Sequence, residues 1–176
     1  VFLVGGGGGA GSSYCGEGGA GYTTTVRSIV LTANTAYSIV VGAAGTNGNP
    51  SSAGGETTAF TASAAGGKNT SNGTSSSKRP GGAGGSGGAG YVSPVATTTG
   101  GTDGGDGTDS ATAGGKGQGT TTREFGEADG DLYASGGGSN LTATVANFGN
   151  GGRNKLTSIA PADGIVVIRQ HKEVAA

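Results

Sequence analysis

The chain has 176 residues, 43 of them glycine, with no Met, no Trp, one Cys and four Pro. Ten basic and 11 acidic side chains leave a formal net charge of −1, so there is no basic field of the kind that draws nucleic acid. Large apolar side chains are too few to fill a conventional core at this length, lone Cys15 cannot form an internal disulfide, and no apolar run approaches the ~20 residues of a membrane-spanning helix.

Val1-Phe2-Leu3-Val4 reads as a short strand running into Gly5 to Gly9, where the missing side chains let other backbones approach closely. No signal-peptide pattern opens the chain. A start inside an apolar run, without an initiator Met, is expected of the C-terminal part of a longer polypeptide. Tyr22–Leu31 and Ala36–Val41 are both rich in Val, Ile, Thr and Tyr and are predicted to pair as a hairpin across Thr32-Ala33-Asn34-Thr35. Residues 42–55 form a turn-rich stretch with Asn47-Gly48 and Asn49-Pro50, and a strand is expected over 56–61. From Ala62 to Gly119 the only sizeable apolar residues are Tyr91, Val92 and Val95. A looser segment over 120–133 holds Arg123, Phe125 and Leu132, and a further glycine tract begins at Gly136. Asn140 to Asn147 has too few periodic apolar residues for a helix. Gly164-Ile165-Val166-Val167-Ile168-Arg169 has the continuous apolar run of a strand buried on both faces.

Residues 81–90 read Gly-Gly-Ala-Gly-Gly-Ser-Gly-Gly-Ala-Gly, so that only Ala83, Ser86 and Ala89 carry a Cβ, at every third position. Polyproline II geometry has three residues per turn and no internal hydrogen bonds. The three side chains would mark the outer edge of one rod, with Lys78 and Arg79 at one tip and Tyr91 at the other. Buried polyglycine rods must pair their N–H and C=O groups with neighbouring rods, which substitutes a hydrogen-bonded core for a hydrophobic one. Similar tracts at 5–11, 16–21, 100–107, 114–119 and 136–138 supply further rods, parallel and antiparallel. Glycine loses more freedom on folding than any other residue, so the rods need strands to hold their ends. The predicted fold is therefore all-β plus polyglycine II. It is a single domain over 1–176, in which a small β-sandwich-like framework (about 1–4, 22–41, 56–61 and 164–170) carries an inserted glycine bundle, with essentially no α-helix. Collagen would need abundant Pro, and a flexible glycine-serine linker would lack the β-branched runs.

Several segments resemble the glycine-rich domains of bacteriophage tail fibres and adhesins. They are Val1–Val4 running into Gly5–Gly9, Tyr37-Ser38-Ile39-Val40-Val41-Gly42, Thr121-Thr122-Arg123-Glu124-Phe125-Gly126-Glu127 and the terminal Gly164–Arg169. The plan is also similar to the extracellular glycine-rich domain of anaplastic lymphoma kinase. After Tyr133 the chain departs from the purer glycine run usual in such domains. The resemblance implies a polyglycine II bundle whose loops touch a host cell-surface receptor, protein or glycan. It also implies location in the virion or otherwise outside the cell, with homotrimerisation or attachment to a fibre shaft by analogy. A structural virion or matrix spacer is the alternative, and an ice-binding protein the third.

The candidate receptor-binding loops are those with bulk or charge: Lys78, Arg79, Tyr91, and Asp103, Asp106 and Asp109. Residues 104–112 formally fit a calcium-binding nonapeptide, but the motif occurs once and has Ala111 where a large apolar residue belongs, so it reads as a polar loop. Gly-x-Gly-x-x-Gly matches arise by chance at this glycine content, and Gly67-Lys68 and Gly115-Lys116 lack the Ser or Thr of a phosphate loop. His171, the only histidine, follows the last strand among charged residues. No enzymatic activity, cofactor, metal, nucleic-acid partner or membrane insertion is expected. Asn69, Asn72 and Asn140 have the form of N-glycosylation acceptors.

Overall fold

The computed structural model describes residues 1–74, 79–93, 96–97, 133–138, 146, 148–153 and 158–170. The expectations for 100–107, 114–119, 120–132 and His171, and nearly all of the helical candidate at 140–147, lie outside them. The described fold is all-β, without helix. Strands β1 (Phe2–Val4), β2 (Thr23–Thr25) and β8 (Ile165–Val167) form an antiparallel sheet in the order β2-β1-β8. A second sheet has the order β3-β4-β5, from Ile39–Val40, Thr57–Ala59 and Ala62–Ala64. Val92–Ser93 (β6) and Ala96–Thr97 (β7) add a two-stranded ribbon.

The two three-stranded sheets pack face to face. Val1 and Leu3 meet Ala59, Ala62 and Ala64 between the sheets, with Val26, Ile29, Phe60 and Val166 around them. Phe2 and Val4 point to the other face of β1 and meet Ala20, Tyr133 and Ala134, with Phe148, Ile165 and Val167 at the margin. The strand buried on both faces is thus β1, not the terminal one. Sequence run alone cannot distinguish a central strand from an edge one, and β8 lies at the edge of its sheet, half-buried.

The predicted hairpin is not formed. β2 pairs with β1, with Val4 opposite Thr23 and Phe2 opposite Thr25, whereas β3 pairs with β4. The local turn is present, since Thr35 N–H donates to Thr32 O at 3.3 Å, but Ser28 (φ 58°) and Asn34 (φ 59°) break the extended backbone, so residues 26–38 carry the chain from one sheet to the other. The partner of β2 is decided earlier, in the glycine tract. Gly8 N–H donates to Gly19 O and Gly5 N–H to Tyr22 O, a register that continues without a shift into Val4 opposite Thr23.

The same continuity holds at each ladder of the two larger sheets. Gly7 N–H donates to Ala162 O in line with the β1–β8 register, Gly55 N–H to Ala43 O in line with β3–β4, and Gly54 N–H to Gly67 O in line with β4–β5. Strands and glycine tracts are therefore successive parts of the same long segments. Residues 42–55, expected to be a turn-rich stretch, are mostly two such segments. They flank a turn at 47–51 that contains the cis Asn49–Pro50 bond. The β4–β5 hairpin, which the composition did not suggest, closes through Phe60-Thr61 with Phe60 at φ 56° and its ring edge-on to Tyr37.

Beyond the strands, donor directions change from a period of two to a period of three. Along residues 16–22, Gly16, Gly19 and Tyr22 donate to Arg79, Lys68 and Ala65; Glu17 and Ala20 donate to Ala89 and Ser86; and Gly18 and Gly21 donate to Gly152 and Gly149. The tract 5–11 lies at the centre, bonded to six segments: 16–22, 43–48, 52–55, 65–70, 149–152 and 160–162. Neighbours run both ways: Gly67 and Thr70 donate to Gly6 and Gly9 in parallel, while Gly6 and Gly9 donate to Gly55 and Ser52 in antiparallel fashion. A Cβ built on any of Gly5 to Gly9 would overlap a carbonyl oxygen, of Ala65, Ala43, Asn150, Lys68 or Thr46 respectively. Among the described glycines only Gly48 (φ 125°) and Gly149 (φ 65°) occupy the left-handed side of conformational space. Glycine here serves close approach, and not turning.

At the joint between sandwich and bundle, fully buried Thr57 accepts from Gly42 N–H (2.9 Å) and donates its hydroxyl to Val4 O (2.6 Å). One side chain thereby supplies both bonds where the backbone changes from one hydrogen-bonding period to the other.

Candidate functional site at the bundle tip

Because 5–11 extends β1 and 16–21 leads back into β2, the turn at 12–15 lies at the end of the bundle away from the sandwich. The turn at 47–51 is beside it, since Gly48 N–H donates to Ala10 O. At this tip side chains take over from backbone partners. Asn47 Oδ1 accepts from Ala10 N–H, while its Nδ2 donates to Arg153 O and Ile159 O. Buried Thr70 accepts from Gly11 N–H and donates to Gly16 O. Asn72 Oδ1 accepts from Ser12 N–H at 2.7 Å and its Nδ2 donates to Ser12 Oγ at 3.0 Å. Asn69 Nδ2 donates to Ser51. Two of the asparagines in glycosylation sequence context thus have their side-chain amides engaged at the bundle tip, Asn72 capping Ser12 N–H through its oxygen and Asn69 capping Ser51 O through its nitrogen. Short amides and hydroxyls suit this work because they satisfy the orphaned ends of the tracts without needing room inside.

The run 81–90 is not one rod. Gly88 N–H donates to Gly82 O, and the chain bends at Gly85 and Ser86, so 79–83 and 87–90 lie antiparallel. Ser86 is 0% and Ala89 2% exposed, so these side chains do not mark an outer edge. The sequence period of three is compatible with a reversal because a glycine-rich backbone bends without steric penalty. The fold-back returns Tyr91 to the end at which Arg79 enters. Arg79 N–H donates to Tyr14 O (3.0 Å), Arg79 O accepts from Gly16 N–H (2.9 Å), and the rings of Tyr14 and Tyr91 lie 5.9 Å apart at 50°. Arg79 and Tyr91, expected at opposite tips, share one.

Tyr14 escaped sequence reasoning. It is an exposed ring on a residue with φ 48°, held at the apex of the first turn. Its signal was available: Ser12-Ser13-Tyr14-Cys15 is the one interruption between the glycine tracts 5–11 and 16–21, and an interruption between paired tracts is a turn. Cys15 below it is buried, and that burial pushes its thiol pKa up, with Glu17 acting in the same direction and the Thr70 hydroxyl against it. Lys78, Asp103, Asp106 and Asp109 lie outside the described residues. Among the described residues no group of His, Cys, Asp or Glu could hold a metal ion, and no helix is long and apolar enough to cross a membrane.

The arrangement presents two aromatic faces and a guanidinium-bearing residue, ringed by Ser, Asn and backbone groups, on a closely bonded support. Aromatic side chains offer large contact area with little conformational entropy to lose on binding. A family model described as a glycine-rich domain matches residues 1–169. No curated protein and no solved structure matches the chain.

Proposed function

The chain belongs to the glycine-rich domain family, and from that premise we propose that it is the receptor-binding domain of a phage tail fibre, attaching the virion to a bacterial surface protein or glycan through its tip loops. In this reading the extended tracts are polyglycine II rods, a role supported by their three-directional hydrogen bonding. The domain works by binding and not by catalysis, and acts outside the cell that made it. The observation that carries the reading is the Tyr14–Tyr91–Arg79 group at the tip, opposite the sandwich. A rigid rod with recognition loops at one end and strands at the other suits a terminal adhesive element.

The test is adsorption of purified domain to host cells. Tyr14→Ser with Tyr91→Ser is expected to weaken saturable binding about tenfold or more, as loss of central aromatic anchors does elsewhere, with an unchanged melting temperature. Unchanged adsorption would refute the tip as the recognition site. The continuous backbone bonding from strand to tip also suits a stiff structural spacer, in a virion or an extracellular matrix. That reading expects no saturable binding to any host surface.

A further inference from the structure

Among the described residues the sandwich is sealed along one long side, whereas the other is closed only at its bundle end, where Gly164 N–H donates to Gly42 O (2.9 Å) and Ala44 N–H to Asp163 Oδ1 (2.6 Å). On the β2/β5 side Tyr22 N–H donates to Ala65 O (2.9 Å) and Thr24 Oγ1 to Ser63 O (2.7 Å), while Val26, Ile29 and Phe60 pack against the inter-sheet cluster. On the other side β8 lies over β4, and β3, the outermost strand of its sheet, projects beyond it.

Register assigns the faces. Ile39 is opposite Ala59, which belongs to the inter-sheet cluster, so Ile39 and Val41 face inward. Val166 is opposite Leu3, so Val166 and Ile168 face inward from the other sheet. Inward-facing apolar residues are normally covered. Here Ile39 is 45%, Val41 49% and Ile168 42% exposed, and Val40 on the outer face is 50% exposed. Among the described residues β3 has no strand on its outer edge, which turns alternate N–H and C=O groups outward.

Exposed edges are usually guarded by charge, proline or a bulge. β3 has none, and no charged residue occurs anywhere between Arg27 and Glu56. We propose that a second copy of the chain closes this side, with β3 of the two copies pairing antiparallel about a two-fold axis beside Val40. The pairing is self-complementary, as a two-fold interface must be. Val40 meets Val40, and Ile39 of each copy lies beside Val41 of the other. The two second sheets join into one of six strands. The half-covered Ile39, Val41 and Ile168 of both copies converge on the same inner side. The neutral stretch matters for the choice of occupant: two copies of residues 28–55 meet without like-charge repulsion, and β3 itself offers a charged partner no counter-charge.

Sedimentation of the full chain over a concentration series tests this. The wild type is expected to dimerise reversibly. Val40→Lys, at an outward-facing position that leaves the core intact, is expected to raise the dimer Kd about a hundredfold or more, because two ammonium groups face each other across the axis. The same is expected of Val40→Glu, and mixing the two variants should restore dimers. A separate readout does not depend on either charge: Val40→Cys copies should cross-link to each other on adding a thiol oxidant, because opposed Cα atoms of an antiparallel pair are close enough for a disulfide. A monomeric wild type at every concentration would overturn the proposal. So would a Val40→Lys dimer of unaltered strength, or dimers that Val40→Cys fails to cross-link.

Discussion

The sandwich and the glycine bundle are built from the same segments in one continuous register, yet they are held together by different forces. In the sandwich, ladder bonds lie in the plane of each sheet and leave its faces bare, so side chains must cover them. Leu3 and Phe2, on opposite faces of β1, are both buried for that reason. In the bundle, donors point in three directions, and backbone covers backbone on every side. There a side chain is an obstruction. Val4 and Gly5 are adjacent in sequence, yet one is buried because of its side chain and the other because it has none. Backbone pairing is thus the common element of the fold, and side-chain volume decides which form it takes.

Three substitutions probe that contrast, each read by urea unfolding. Gly7→Val should have the largest effect. Its Cβ would overlap Asn150 O and C, backbone atoms held from both sides, and the cost should exceed about 5 kcal/mol, in the range where cooperative folding is lost. A folded, near-wild-type Gly7→Val protein would mean that the bundle is loose. Leu3→Ala empties a fully buried site between the sheets and should cost about 2–5 kcal/mol. A much smaller loss would show that the bundle, and not the apolar core, carries the stability of the framework. Gly48→Ala separates conformation from crowding. Gly48 has φ 125° but nothing within 4 Å of its added Cβ, so only backbone strain is introduced, about 1–3 kcal/mol. A cost comparable to that at Gly7 would show that close approach is not what makes the central glycines necessary.

Much of the architecture was legible in the residues. The glycine tracts at 5–11 and 16–21 were readable as closely packed segments, and the β-branched runs as strands, because bare backbone and branched side chains have opposite packing requirements. The partners were not legible. Tyr22–Leu31 and Ala36–Val41 look like a hairpin locally, but the pairing of Gly5–Gly8 with Gly19–Tyr22 commits β2 to β1 before the turn at 32–35 is reached. The tip was half legible. Arg79 and Tyr91 stood out as bulk among glycines, whereas their meeting beside Tyr14 required the fold-back at Gly85–Ser86, which the repeat at 81–90 conceals.

By itself, the sequence determined that this protein has an all-β framework with little side-chain core, where backbones approach closely, and which few residues carry enough bulk or charge to recognise anything. Only the tertiary structure decided which segments are neighbours, that Tyr14, Arg79 and Tyr91 share one end, and that β3 is the outermost described strand of its sheet. The physical reason is that glycine carries no side chain to specify a partner. Composition announces that backbones will meet, but which ones meet is settled by registers carried in from the strands at their ends.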